Sequence, residues 1–159
     1  MISNQITEGL NGEPIIPGDK SISHRSIIIP SISNGICEIN NLLKSEDVLH
    51  TLNAFRSMGV KILEEDSKII IYGKGLNSLK QPKDDIYLGN SGTSARLLTG
   101  LLSSQKFNSI ITGDKSLSKR PMERISNPLS KMNAKIQTTN GSLPLKIKGN
   151  NLISNWKLI

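Results

Sequence analysis

The sequence contains little cysteine and few aromatic residues. Cys37 is the single cysteine among 159 residues, so the chain cannot form an intramolecular disulfide. No Cys or His cluster surrounds it, and we therefore expect no metal site and a buried strand position for this thiol. Phenylalanine, tyrosine and tryptophan together make up 3% of the chain, which leaves few rings on which nucleic-acid bases could stack.

Long apolar runs are absent as well. No stretch comes near the roughly 20 apolar residues that a membrane helix needs, and residues 1–10 lack a basic region followed by an apolar run. We therefore expect a cytoplasmic protein that does not associate with a membrane. The hydrophobic content of 36% is sufficient for one folded domain or two small subdomains.

Positive charge is the property that the composition does supply. Twenty Lys and Arg residues against thirteen Asp and Glu give a net charge of +7, which favours an anionic partner such as nucleic acid, acidic lipid or a phosphorylated metabolite. The basic residues are dispersed and aromatic residues are scarce, so a nucleic-acid-binding domain is the weaker alternative. Part of the charge can also be ordinary solvated surface.

The chain contains an internal repeat. The string Met-Gly-Val-Lys-Ile at 58–62 returns as Met-Asn-Ala-Lys-Ile at 132–136. An offset of about 75 residues indicates two copies of one supersecondary unit, and the hydrophobic periodicity predicts helix, strand, helix, strand, strand in each copy. The predicted elements cover 21–33, 36–39, 45–59, 60–63 and 68–72 in the first copy, and 93–103, 109–112, 121–132, 134–138 and 144–147 in the second.

Proline and glycine predict where these elements end. Pro30 should kink or end the first helix, and Pro128 should interrupt the fourth, because proline lacks an N–H and clashes with the preceding turn. Pro121 is expected in the first turn of that fourth helix. Gly59 is expected to cap the second helix at its C-terminus. The Asn-Gly pair at 140–141 predicts a tight hairpin between the last two strands.

Three polar clusters fall at junctions between elements, where binding residues concentrate. The first, at 17–25, leads into a helix N-terminus, where free N–H groups together with Lys20 and Arg25 could hold an anion. The second, at 88–96, contains Gly92 for close backbone approach but lacks P-loop spacing, so we expect no nucleotide binding. The third, at 113–124, is a polar loop with four positive and two negative charges. Each cluster alone is equally well explained as a helix cap or a solvated loop.

Together the clusters match one family. Pro-Gly-Asp-Lys-Ser-Ile-Ser-His-Arg-Ser at 17–26, Leu-Gly-Asn-Ser-Gly-Thr at 88–93 and Lys-Arg-Pro-Met at 119–122 occur in order and at suitable separations. In these strings the chain resembles the 5-enolpyruvylshikimate-3-phosphate (EPSP) synthase family, and the resemblance extends over nearly the whole sequence, including Leu-Leu-Lys-Ser-Glu-Asp at 42–47.

The resemblance implies an enzymatic reaction and a set of site residues. The reaction is transfer of the enolpyruvyl group of phosphoenolpyruvate to the 5-hydroxyl of shikimate 3-phosphate, with release of phosphate and without a metal or organic cofactor. Both substrates are polyanions, which accounts for the basic clusters. Lys20 would contact both substrates and stabilise charge or transfer a proton. By the same resemblance, Ser21 and Arg25 would bind shikimate 3-phosphate, and the phosphoenolpyruvate site would comprise Asn90, Gly92, Thr93, Arg96 and Arg120.

The resemblance also implies an α/β fold. Family members are monomers of two domains, each an inside-out α/β barrel of three βαβαββ units with inward helices, which close on the substrates. Here 1–17 would be a strand of the first domain, 18–86 and 87–150 two units of the other, and 151–159 the start of a third unit. The family's later elements are not in this sequence, so we expect an incomplete barrel that does not turn over alone and needs the C-terminal part.

Two alternatives remain open besides nucleic-acid binding. The related enolpyruvyl transferase acting on UDP-N-acetylglucosamine shares the fold and the donor substrate. Its reactive-loop cysteine is absent here, and the Lys-Asn pair that normally begins its first helix is Lys20-Ser21 in this chain. A non-catalytic or decayed-gene module that only binds anions is the other alternative.

Overall fold

A computed structural model describes residues 12–14, 16–65 and 68–149 of the chain. These residues form one antiparallel sheet and one mixed sheet, and two helices accompany each sheet. In chain order the elements are α1 (Lys20–Ile32), β1 (Asn34–Asn40), α2 (Glu46–Ser57), β2 (Lys61–Glu65), β3 (Lys68–Lys74), β4 (Ile86–Tyr87), α3 (Gly92–Ser103), β5 (Ser109–Thr112), α4 (Glu123–Lys131), β6 (Lys135–Thr139) and β7 (Ser142–Lys148), with single 3-10 turns at Leu76–Ser78 and Leu117–Lys119.

The first sheet has the order β1-β3-β2, and both pairings are antiparallel. Its central strand β3 contains the apolar residues Ile69, Ile70 and Ile71, all of which are buried. Helix α2 packs into the same core through Leu52 and Phe55, because its apolar residues recur at helical spacing along one face. Burial of these branched and aromatic side chains stabilises the first half.

Helix α1 approaches β3 so closely that one strand position must be glycine. A Cβ atom on Gly73 would overlap the backbone carbonyl oxygens of Pro30 and Ser33 at the end of α1. The same carbonyl of Ser33 accepts a hydrogen bond from the Gly75 N–H at 2.9 Å. Backbone contact therefore replaces side-chain packing where the helix ends against the strand.

The second sheet has the order β4-β5-β7-β6. Strands β4 and β5 are parallel, since α3 forms the crossover between them, whereas β5–β7 and β6–β7 are antiparallel. Asn140 and Gly141 connect β6 to β7 with φ angles of 51° and 76°. Positive φ at both positions is the conformation that a tight hairpin requires, so the predicted hairpin is confirmed.

One continuous apolar core joins the two halves. Helix α2 lies against β4, and buried side chains of the first sheet and its helices belong to the same cluster as those of the second half. The members with no exposed surface are Ile27, Val48, Phe55, Met58, Ile71, Leu88, Ala95, Leu98, Leu102, Ile111, Leu117, Met122 and Leu145.

The predicted mixed α/β class is confirmed, and each half contains the predicted order of helix, strand, helix, strand, strand. The hydrophobic pattern did not predict the short strand β4. The described residues form two open sheets and no closed barrel. Unit boundaries remain predictions, and the one drawn between 86 and 87 passes through β4, whose two residues both pair with β5. The predicted strand at 1–17 lies largely, and the start of a third unit at 151–159 wholly, outside the described residues.

Neither Pro30 nor Pro128 ends its helix, contrary to the prediction. Helix α1 continues through Pro30 to Ile32, and α4 continues through Pro128 to Lys131. Each proline removes one backbone hydrogen bond, but both lie in the last turns of their helices, where tertiary packing outweighs that loss. Helix α4 begins at Glu123, two residues later than expected, after the buried side chain of Met122.

Two smaller predictions concern Cys37 and membrane helices. Cys37 does lie in a strand, β1, but it is half-buried, because β1 is an edge strand of its sheet. In the part of the chain that the structure describes, no helix is long and apolar enough to cross a membrane.

We predict that Gly73→Ala lowers the free energy of unfolding by about 1–3 kcal/mol, because the new methyl group forces α1 and β3 apart. Gly100→Ala in α3 is the matched control, since no atom lies within 4 Å of a Cβ built there. It should raise the free energy by about 0.5–1 kcal/mol, since alanine favours helix. Urea denaturation of both variants measures these changes, and an unchanged Gly73→Ala protein would contradict the close approach.

Candidate functional site

The N-terminus of α1 carries the first polar cluster. Asp19 caps the helix, with its Oδ1 atom accepting a hydrogen bond from the Ile22 N–H at 2.7 Å. The preceding Gly18 has no room for a side chain, because a Cβ atom would overlap the carbonyl oxygen of Asn41. The chain is therefore held against the loop after β1 at the point where α1 begins.

The three candidate binding residues on α1, which are Lys20, Ser21 and Arg25, are all exposed. Lys20 forms an ion pair with Asp47 in the first turn of α2, and 52% of the Lys20 side-chain surface remains accessible. Ser21 and Arg25 lie on the same first turns and are exposed to solvent. Lys20 is thus oriented by a carboxylate yet remains open to a ligand.

The N-terminus of α3 carries the second cluster. Ser91 caps the helix, with its Oγ atom accepting from the Ser94 N–H at 3.3 Å. Gly89 has a φ of +54°, and a Cβ atom there would lie 2.5 Å from Nε2 of His50. Its carbonyl accepts from the Asp114 N–H at 2.9 Å, which ties the third cluster to this loop.

Two arginine side chains converge on the first residue of α3. A Cβ atom on Gly92 would lie 2.9 Å from Nη1 of Arg96 and 2.9 Å from Nη1 of Arg120. Arg96 donates from Nη1 to the Gly92 carbonyl at 3.1 Å and from Nη2 to the Pro121 carbonyl at 3.4 Å. Arg120 donates from Nη2 to Oδ1 of Asn90 at 2.5 Å. The second and third clusters therefore form one site.

No ion pair among the described residues neutralises the charge of this site. Within residues 12–149 as described, no carboxylate lies within 4.0 Å of the Arg96 or Arg120 guanidinium. The N-terminus of α3 adds the positive end of a helix dipole at the same point. Two like charges held together at a helix N-terminus create a strong local preference for an anion.

A buried chain of polar side chains connects the two helix N-termini. Nδ1 of His24 in α1 lies 2.9 Å from Oγ1 of Thr51 in α2 and 3.2 Å from Oγ of Ser94 in α3. The Thr51 and Ser94 hydroxyls are 2.5 Å apart, and the Ser94 hydroxyl lies 2.7 Å from that of the cap residue Ser91. All four side chains are buried. The N-terminal halves of α1 and α3 are therefore connected through buried side chains.

Burial lowers the pKa of His24 below the usual histidine value. Desolvation is the largest cause; the charge of Asp47 acts in the opposite direction and that of Lys20 in the same direction. An imidazolium at this position would also present two N–H donors, and Nε2 has no hydrogen-bond partner among the described residues. His24 is thus neutral at pH 7.

The structure brings together four of the predicted phosphoenolpyruvate residues, Asn90, Gly92, Arg96 and Arg120, while Thr93 is exposed in the first turn of α3. It also shows side chains to which the sequence assigned no role. Thr51 lies within the apolar stripe of α2. A polar residue at such a position was the one feature of the sequence that could have pointed to a role for Thr51. Nothing in the sequence relates it to α1 or α3, because that contact spans 43 residues.

The described residues contain no group of three or more His, Cys, Asp or Glu side chains that could hold a metal ion. What they do contain is a repeated α/β fold with two adjacent helix N-termini and exposed basic side chains. Such an arrangement is typical of proteins that bind small anionic molecules.

Comparison with known proteins identifies the family. Residues 4–156 match the model of EPSP synthase (3-phosphoshikimate 1-carboxyvinyltransferase), and the chain belongs to this family. It is 57% identical over 143 residues to the 3-phosphoshikimate 1-carboxyvinyltransferase of Ruthia magnifica, with 90% of this chain and 33% of that protein covered. The Alkaliphilus metalliredigens protein of the same name is 49% identical over 154 residues, with 96% of this chain and 36% of that protein covered.

Solved structures agree with this assignment. The EPSP synthase of Acinetobacter baumannii superimposes with a TM-score of 0.84 at 52% sequence identity, over 87% of this chain and 32% of that one. The chain thus spans about a third of the length of the relatives it matches.

We predict that His24 makes stability depend on pH below about 6.5, the usual histidine pKa. Because its folded-state pKa is lowered, the unfolded chain binds a proton there that the folded chain does not. The free energy of unfolding should therefore be fully retained above this pH, fall as the pH falls through it, and level off below the folded pKa.

Urea denaturation of the wild type and of His24→Asn between pH 5 and pH 8 isolates this contribution from that of the carboxylates. The variant should lose the part of the pH dependence that lies near neutrality. Parallel curves for the two proteins would show that burial of His24 does not perturb its titration.

Proposed function

We propose that this chain provides the anion-binding part of a 3-phosphoshikimate 1-carboxyvinyltransferase, which transfers the enolpyruvyl group of phosphoenolpyruvate to the 5-hydroxyl of shikimate 3-phosphate and releases phosphate. The product belongs to the route to chorismate and the aromatic amino acids. A cytoplasmic location and a monomeric intact enzyme are part of the proposal.

The observation that carries the proposal is the pair of guanidinium groups at Gly92. Arg96 and Arg120 converge on a helix N-terminus without a carboxylate partner among the described residues, so an anion is needed to balance them. Phosphoenolpyruvate presents a carboxylate and a phosphate, both of which pair with arginine in bidentate geometry. We assign this site to phosphoenolpyruvate.

Each neighbouring residue has a distinct part in that site. The absent side chain of Gly92 lets both guanidinium groups approach the backbone at the start of α3. Asn90 orients Arg120 through its Oδ1 atom, and the exposed hydroxyl of Thr93 can donate to a ligand oxygen. Arg96 is braced by two backbone carbonyls, so its charge is held in place before the ligand arrives.

Shikimate 3-phosphate is assigned to the N-terminus of α1. Ser21 and Arg25 are exposed at this helix N-terminus, which suits a phosphate. Lys20 is paired with Asp47 on the side toward α2, and a dianionic ligand nearby would attract its ammonium group. Because the two helix N-termini are adjacent, Lys20 can contact both substrates and stabilise the charge that develops as the hydroxyl attacks.

We predict that Gly92→Ala weakens phosphoenolpyruvate binding by about tenfold or more, because the methyl group occupies the point at which both guanidinium groups converge. The displaced atoms are the ends of flexible side chains, so the fold should be unaffected. Gly100→Ala, in the same helix, should bind like the wild type. Calorimetry at fixed salt measures both affinities, and equal binding by the two variants would reject the site.

We predict that Arg25→Ala weakens shikimate 3-phosphate binding by about 1.5–3 kcal/mol, the value of a charge-assisted hydrogen bond. Lys74→Ala at the exposed end of β3 removes the same charge far from the site and should change little. NMR titration of this 159-residue polypeptide distinguishes the two. If both substitutions weaken binding equally, α1 offers a basic surface and no specific site.

The same polypeptide should bind without turnover, because it spans only about a third of the length of the relatives that it matches. A phosphate-release assay with both substrates tests this, and release at the rate of a complete enzyme would overturn it.

A further inference from the structure

The His24 imidazole is a polar group that the reaction described above does not use. It is 1% exposed, so it cannot touch a ligand in the cleft. It nevertheless lies one turn below Lys20 in α1 and within hydrogen-bond distance of Ser94 in the first turn of α3. No other buried polar side chain described in α1 contacts α3 directly through a hydrogen bond.

Hydrogen bonds lead from this imidazole to both proposed binding sites. In one direction the Thr51 hydroxyl bridges His24 to α2, where it donates to the backbone carbonyl of Asp47 at 3.1 Å, and the carboxylate of Asp47 holds Lys20. In the other direction Ser94 connects His24 to the cap residue of α3. A displacement of the imidazole would therefore move groups at both sites.

We propose that His24 is a positioning residue whose Nδ1 atom holds the N-termini of α1 and α3 in a fixed relation, so that binding of one anionic substrate favours binding of the other. The inference rests on the proposed function of these two helix N-termini. A core that only needed volume at this position would take an apolar side chain, without the cost of burying an imidazole. Hydrogen bonds with the hydroxyls around Nδ1 offset that cost and fix the orientation of the ring.

The two ring nitrogens differ in a way that the experiment can use. Nδ1 has two hydroxyl partners, whereas Nε2 has none among the described residues. Asparagine can place a polar atom at the position of Nδ1 and none at that of Nε2, and glutamine does the reverse. His24→Asn should therefore rescue what His24→Gln loses, although both remove the ring.

The test measures phosphoenolpyruvate affinity by calorimetry, alone and with saturating shikimate 3-phosphate, for wild type, His24→Asn and His24→Gln. The wild type should show an increase in affinity of at least about fivefold on addition of the second ligand, the lower end of usual coupling between sites. His24→Asn should retain most of this increase and His24→Gln should lose it. Equal coupling in wild type and His24→Gln, or equal loss in both variants, overturns the proposal.

A double-mutant cycle identifies the partner. If His24 acts through Ser94, then Ser94→Ala and His24→Gln should each abolish the coupling, and the double variant should lose no more than either single one. Additive losses would contradict the direct contact. If His24→Gln fails to fold, Ser94→Ala and Thr51→Val provide the same test, because each removes a hydroxyl partner of Nδ1.

A ligand-free measurement separates this inference from the proposed function. Amide NMR shifts and hydrogen exchange of residues 92–95 should change in His24→Gln and stay close to wild type in His24→Asn. If the wild type binds neither substrate, the proposed function fails. The ligand-free measurement still tests whether His24 positions α3. An unchanged first turn of α3 in His24→Gln shows that Nδ1 does not position that helix.

Discussion

The juxtaposition of two helix N-termini is the constraint on which the rest of this structure depends. Each N-terminus carries about half a positive charge from the helix dipole, so placing two side by side is unfavourable unless neighbouring groups compensate. The protein does this with buried polar side chains, His24, Thr51 and Ser94, that hydrogen-bond across three helices. Arginine and lysine side chains then increase the positive charge instead of reducing it.

Close backbone approach makes this arrangement possible. Gly18, Gly73 and Gly89 stand where a Cβ atom would overlap a carbonyl oxygen or a histidine ring. Gly18 and Gly89 lie at the entrances to the site, whereas Gly73 lies against the far end of α1. Gly92 differs, because a Cβ atom there would overlap the ends of two arginine side chains and not backbone or a histidine ring. The first three glycines let the elements meet, and the fourth lets both guanidinium groups reach the start of α3.

Much of the local structure was predictable from the sequence. Helices with apolar residues at helical spacing, such as α2, and the Asn-Gly hairpin at 140–141 follow from short-range rules, since their partners are near in the chain. Rules about proline failed at Pro30 and Pro128, because the loss of one hydrogen bond near a helix end is small beside the packing that the helix gains. The clusters at 17–25, 88–96 and 113–124 were found as separate strings.

The sequence by itself determined the order of helices and strands, the positive charge and the family, because periodicity, composition and motif strings are properties of neighbouring residues. Only the tertiary structure decided that Arg120 and Arg96 converge on Gly92, that Lys20 pairs with Asp47, and that a buried imidazole of α1 contacts hydroxyls of α2 and α3. These contacts join residues far apart in the chain, and their geometry exists only once α1, α2 and α3 have packed around a common core.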